Sequence, residues 1–211
     1  DVMGGNSSFV AGRIKRYYGI DARVIHPFVE LADFAGVQSA LPRKEDYYAM
    51  VTAFAPNKRV DLAIEACNRL GRRLKIVGSG QDEKRLRALA GPSIEFLGNV
   101  GRAEIIHLLS RARAFLFPGV EDFGITPLES LAAGTPVIAF HEGGVLETLR
   151  PDVAVFFHTP DAAALACAIQ ELEGAGPGRF HAQDLFARAQ DFSREKFKAH
   201  VGSLIQQVCI N

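Results

Sequence analysis

The residues best suited to chemistry are concentrated in PGVEDFGITPLESLAAGTPVIAF, residues 118 to 140, where Glu121 and Glu129 are separated by seven residues. The chemistry this stretch suggests is anion binding. Gly124 permits close backbone approach, and Thr126, Pro127, Leu128 and Glu129 form the Ser/Thr-x-x-Glu pattern that opens a helix, with Pro at its first position. Such a helix starts at the carboxyl end of the strand AFLFP, so its unpaired N–H groups and positive dipole end face a crevice and form a seat for phosphate. Read alone, Glu129 only closes the capping box and Glu121 is a solvated loop acid; both readings stay open at this point. A second cluster, APNKRVDLAIEA (55–66), puts Lys58 in the first turn of a helix capped by Asn57. The dipole disfavours lysine there, so Lys58 wants an anionic partner such as phosphate, although with Arg59 it also reads as an ordinary surface cation. Gly78 and Gly80, in GSG, follow a strand and precede a helix as a dinucleotide loop would. Position 83 is Glu where the third Gly belongs, so tight-turn chemistry explains them equally well.

Other site patterns are missing from the sequence. No Gly-x-x-x-x-Gly-Lys-Ser/Thr, Gly-x-Ser-x-Gly or His-x-x-x-His occurs, and there is no Asp-x-Asp pair. The elements that must position the candidates are legible as alternating short β-branched runs and helical periods. Strands are expected at 47–55, 73–78, 93–98, 114–119, 136–140 and 153–157. The first connecting helix has its apolar face at Val60, Ile64 and Cys67 and stops at Gly71; the others span 81–90, 102–110, 126–133, 143–149 and 161–173. This pattern is an α/β doubly wound parallel sheet of about six strands, whose ligands lie beyond the carboxyl ends of the strands. Helices at 184–189 and 194–208 follow, the latter capped by Ser193, and GAGPG (174–178) is the clearest loop. Near the start, Ser7 or Ser8 caps a basic helix, 9–19, ahead of a short strand, ARVIHP (22–27), and Phe28 to Glu45 reads as a linker.

Composition narrows the classes further. The 211 residues are 48% hydrophobic and 23% charged, and 24 Lys plus Arg balance 24 Asp plus Glu. That balance argues against nucleic acid or an anionic membrane as a bulk partner. The charge-free stretch Ser130–His141 is too short to span a bilayer and contains Gly134 and Pro136. The opening DVMGGNSSFV lacks a leader pattern and reads as a chain begun in mid-protein. Cys67, Cys167 and Cys209 lie far apart, which is expected of core thiols in a reducing, cytoplasmic compartment.

Glu121, Asp122, Phe123, Gly124 and Glu129, followed by SLAAGTPVIA and then Gly143, Gly144 and Glu147, resemble the carboxy-terminal donor-binding domain of retaining GT-B glycosyltransferases of family four. The resemblance covers most of the chain. It implies a Rossmann-like half of a GT-B fold, with residues 1–27 as the end of the amino-terminal domain, 28–45 as the linker, 46–191 as the donor-binding domain and 192–211 as a carboxy-terminal helix. It implies that Lys58 neutralises the donor diphosphate, that Glu121 faces the transferred sugar, and that Glu129 accepts hydrogen bonds from the ribose hydroxyls. The backbone amides of Phe123, Gly124, Ile125 and Thr126 would hold sugar and phosphate oxygens. Gly98, Asn99 and Val100 fall where family members cradle the base, and Gly78 and Gly80 belong to the nucleotide half. One departure stands out: Ala53 occupies the place of an expected Arg five residues before Lys58, a loss that Arg59 or a residue of the other domain would have to offset.

The implied activity is transfer of a hexose from a nucleotide-diphosphate sugar to a glycan or lipid-linked acceptor, with no metal and no other cofactor. Mannose is suggested by the closeness of KRVDLAIEA and EDFGITPLE to mannosyltransferase-like members. The implied partners are the sugar nucleotide and the protein's own amino-terminal acceptor domain, with peripheral membrane association compatible with the full-length enzyme. The alternatives are a sugar-nucleotide epimerase or phosphorylase of the same architecture, or a non-catalytic nucleotide-sugar-binding module.

Overall fold

A computed structural model describes residues 2–176 and 178–209, the side chains of Val208 and Cys209 excepted. In chain order the elements are β1 (Gly4–Gly5), α1 (Ser8–Tyr18), β2 (Arg23–Val24), α2 (Ala35–Ala40), β3 (Tyr48–Val51), α3 (Val60–Leu70), β4 (Leu74–Val77), α4 (Glu83–Leu89) and β5 (Ile94–Gly98). They continue with α5 (Arg102–Arg111), β6 (Phe115–Phe117), α6 (Ile125–Ala132), β7 (Val137–Phe140), α7 (Val145–Thr148), β8 (Ala154–Phe157), α8 (Ala162–Gly174), α9 (Ala182–Gln190) and α10 (Arg194–Cys209).

Strands β3 to β8 form one parallel sheet in the order β5-β4-β3-β6-β7-β8. Each expected strand is present. A parallel sheet covered on both faces requires continuous apolar runs, which is why YAMV, FLF and VIAF announced themselves. Alternate residues serve opposite faces: Tyr47 and Ala49 join the core with Phe115, Leu128 and Leu131, while Tyr48 and Met50 join that with Ile64, Ile76 and Leu165. The chain runs outward from β3 to β5, returns to the centre at β6, and runs outward again to β8. The reversal leaves a crevice beyond the carboxyl ends of β3 and β6.

Local details depart from the expectations at several points. The stretch 28–45 contains a 3-10 turn, Leu31–Phe34, and then α2, and it buries Val29 and Phe34 in the core. Cys67 is buried, and burial pushes its thiol up to about 12, as a core cysteine should behave. Cys167 is exposed instead, because α8 turns Leu165, Ala166, Ala168 and Ile169 inward and leaves position 167 on its outer side. Cys209 lies outside the described side chains, and Pro177 of the expected 174–178 loop lies outside the described residues, while Gly174 ends α8.

The β1–α1–β2 segment forms its own two-stranded parallel sheet. Ser7 caps α1 by accepting from Val10 N at 3.1 Å, and Gly19 ends the helix at φ 70°. Ser193 Oγ likewise accepts from Lys196 N at the start of α10. Tyr17 and Tyr18 on α1 are 69% and 72% exposed. Among the described residues no helix is long and apolar enough to cross a membrane.

Candidate functional site

The crevice is lined by the loops that leave β3 and β6. After β3 the chain makes a 3-10 turn, Pro56–Lys58, and Arg59 adopts φ 49° before α3 begins at Val60. Asn57 therefore caps nothing. Lys58 closes the turn ahead of the helix instead of lying in its first turn, because the left-handed Arg59 separates the two. After β6 the loop 118–124 ends at Gly124, φ 87°, and α6 starts at Ile125. The expected capping box is not formed: Gly124 provides the N-cap and Glu129 sits one turn inside the helix. Its burial beside Arg102, rather than capping, is what defines that glutamate.

Lys58 and Glu121 meet across the crevice as an ion pair, Nζ to Oε1 2.7 Å, with side chains 22% and 26% exposed. Their loops can touch because position 119 is glycine: a Cβ there would lie 2.5 Å from Asn57 O and 2.8 Å from Lys58 Cα. On the other side, Gly144 N donates to Glu121 O at 2.9 Å, and a Cβ on Gly144 would lie 2.0 Å from Asp122 O. The loop carrying Glu121 is thus clamped between the loops that follow β3 and β7. Beside it, the first-turn amides of α6 at Ile125 and Thr126 have no carbonyl four residues back within the helix, so they and the dipole present positive potential. The Phe123 side chain is buried, 5.6 Å from the His26 ring, which leaves only its backbone to serve a ligand.

The structure brings the other predicted loops to the same rim. Gly78 N donates to Gly98 O at 2.8 Å, and Asn99 Nδ2 donates to Ser79 Oγ at 3.1 Å, joining the loops after β4 and β5. Val100 packs against the core. Gly78 and Gly80 have a packing role that needs no ligand: a Cβ on either would strike the backbone of Thr52 or Phe54. Arg59 is not turned toward the Lys58–Glu121 pair; its Nε donates to Asp61 Oδ1 at 3.3 Å.

Arg102 carried no sequence signal, and nothing in the sequence assigned partners to Asp122 or Glu147 at the rim. Arg102, first in α5, donates to Glu129 and, at 2.9 Å, to Asp33. Asp122 accepts from Arg13 at 2.7 Å and from Ser7 Oγ, and Glu147 accepts from Ser8 N, Phe9 N and His26 at 2.9, 3.2 and 2.8 Å. Burial pushes the Glu147 carboxyl up, but the two amides and His26 outweigh it and hold it below its ordinary value. A carboxyl depressed in the fold stabilises above its unfolded value and loses that contribution as pH falls through the folded one. The amides of Ser8 and Phe9 are therefore expected to stay protected from hydrogen exchange at neutral pH and to lose protection below roughly pH 4. In Glu147→Gln that acid-dependent loss should vanish; an unchanged acid profile would show that another group anchors α1.

A family model described as "Glycosyl transferases group 1" matches residues 33–179. The human protein named alpha-1,3/1,6-mannosyltransferase ALG2 is 28% identical over 200 residues, covering 79% of this chain and 48% of its own length. A Corynebacterium glutamicum protein named GDP-mannose-dependent monoacylated alpha-(1-6)-phosphatidylinositol monomannoside mannosyltransferase is 36% identical over 110 residues, covering 47% of this chain and 29% of its own. The chain thus spans about half or less of the length of these curated relatives. In fold it is similar to Anabaena Alr3699/HepE solved in complex with UDP, with a TM-score of 0.83 at 17% identity, covering 98% of this chain and 64% of that one.

Proposed function

The chain belongs to the glycosyl transferases group 1 family, and from that premise we propose that it is the donor-binding half of a retaining hexosyltransferase that uses a nucleotide-diphosphate sugar. The observation that carries this reading is the Lys58–Glu121 pair at the reversal point of the sheet, beside the amino end of α6. Lys58 sits where a diphosphate needs a cation, and the α6 amides supply donors to phosphate and sugar oxygens. As the bond from the sugar C1 to the diphosphate oxygen breaks, charge grows on the departing oxygen, and fixed donors stabilise it most at that moment. Glu121 then faces the hexose and Glu129 the ribose, with the loop 98–100 against the base.

Residues 46–191 carry the donor in this reading. Residues 1–27, whose strands form a separate sheet, correspond to the edge of an acceptor domain reached through 28–45. Mannose is supported by the names of two relatives, and a guanosine donor by the name of one of them. Ala53, which leaves Lys58 without a companion cation, favours a non-catalytic nucleotide-sugar-binding module as the second reading.

Calorimetry with GDP, UDP and ADP tests the proposal. One of them is expected to bind the 211-residue chain with a dissociation constant of roughly micromolar to millimolar, and to be displaced by its sugar conjugate. No transfer should be seen, since the acceptor side is contributed elsewhere. Failure of all three to bind at millimolar concentration removes the reading, and robust transfer by these residues alone removes the division of labour.

A further inference from the structure

Glu129 lies in the second turn of α6 with its side chain only 16% exposed. A carboxylate so placed must be matched by a charge or by donors. The structure matches it from another helix. Arg102 donates from Nη1 to Glu129 Oε1 and from Nε to Asp33 Oδ2 at 2.9 Å, and its guanidinium lies 5.2 Å from the ring centre of the fully buried Phe34. Asp33 and Phe34 belong to the 3-10 turn Leu31–Phe34, so two other stretches of chain, this turn and α6, converge on one planar group. A guanidinium held at two edges and on one face has few orientations left, which a lysine ammonium would not share.

Resting on the assignment of Glu129 to the donor ribose, we propose that Arg102, clamped by Asp33 and Phe34, is a positioning residue that fixes the Glu129 carboxylate with Oε1 engaged and Oε2 presented to the vicinal hydroxyls. The electrostatics agree with the geometry. Burial pushes the Glu129 carboxyl above its ordinary value, Arg102 pulls it back, and Asp33 pushes it up again. Arg102 is the cation that opposes the effect of burial on the Glu129 carboxyl, and Asp33 serves by orienting Arg102 rather than by its own charge.

Two measurements on the 211-residue chain test this. The first needs no ligand: the side-chain carboxyl of Glu129 is titrated by carbon-detected NMR. Arg102→Gln should move its midpoint upward by about one unit or more, whereas Arg102→Lys should leave it near the wild-type position. The second compares GDP and UDP with their 2′-deoxy forms. Wild type should prefer the ribo form by about tenfold, the worth of one good hydrogen bond to a charged group. Arg102→Gln and Arg102→Lys should both bring that preference close to one, because charge without the fork does not fix the carboxylate, and Asp33→Asn should fall between. An unmoved midpoint in Arg102→Gln overturns the proposal, as does a full ribose preference in Arg102→Lys together with Asp33→Asn. Equal binding of ribo and deoxy forms by the wild type strikes at the ribose assignment itself, and the titration then still reports whether Arg102 holds Glu129.

Discussion

Replacing Lys58 with alanine should weaken nucleoside diphosphate binding by about 10- to 150-fold while nucleoside binding barely moves. The range is that of a hydrogen bond to a charged group, about 1.5 to 3 kcal/mol. The structure pushes the expectation toward its upper end, since Lys58→Ala leaves Glu121 without its partner beside the incoming phosphates. The same pair gives a test of opposite sign. In the ligand-free crevice Glu121 competes with phosphate for Lys58, so Glu121→Gln should tighten diphosphate binding. The gain should be only about 1.4- to fivefold, because a partly exposed pair contributes about 0.2 to 1 kcal/mol. Isothermal titration of both variants and of the double variant decides the matter. Equal losses for nucleoside and diphosphate in Lys58→Ala would show that Lys58 does not meet the diphosphate, and weaker binding in Glu121→Gln would show that Glu121 helps the anion instead of competing with it.

The second large effect concerns the scaffold. Gly78→Ala should destabilise the protein by at least about 3 kcal/mol, lowering its melting temperature by roughly 6 to 12 °C. Gly78 has φ 135°, and a Cβ there would lie 1.8 Å from Thr52 O. Relief requires moving the backbone where Thr52 N donates to Val77 O at 3.0 Å, which would open the end of the β3–β4 ladder. Gly12, mid-helix in α1 with open space for 4 Å around the place a Cβ would take, is the control: Gly12→Ala should be neutral or gain up to about 1 kcal/mol. Thermal denaturation followed by circular dichroism distinguishes the two. A drop of less than about 2 °C for Gly78→Ala would mean that the loop yields easily, and would return Gly78 to a role at the ligand.

Periodicity and apolar runs were enough to specify the sheet, the succession of its strands along the chain and most helix limits. Strands buried on both faces must be apolar throughout, so VIAF and YAMV had no other reading, and Gly71 ended α3 because glycine adopts the left-handed turn at φ 62° without penalty. Glu121 and Glu129 were also legible through the motif that contains them, and Lys58 through a separate cluster that only the family resemblance joined to it. How the loops meet was not legible. The capping box at Thr126–Glu129 and the cap at Asn57 were plausible local patterns, and each lost to packing: Gly124 fits between Phe117 and Pro127 and starts α6 early, while the Pro56–Lys58 turn lies against Gly119. Residues 28–45 show no periodicity because their turn is short, so the burial of Phe34 in the core was not legible. Arg102 and Glu129 are 27 residues apart on different helices, and no spacing rule joins them. Local sequence encodes backbone periodicity and burial; which charge faces which is decided when the sheet's reversal brings the loops of separate strands to one rim.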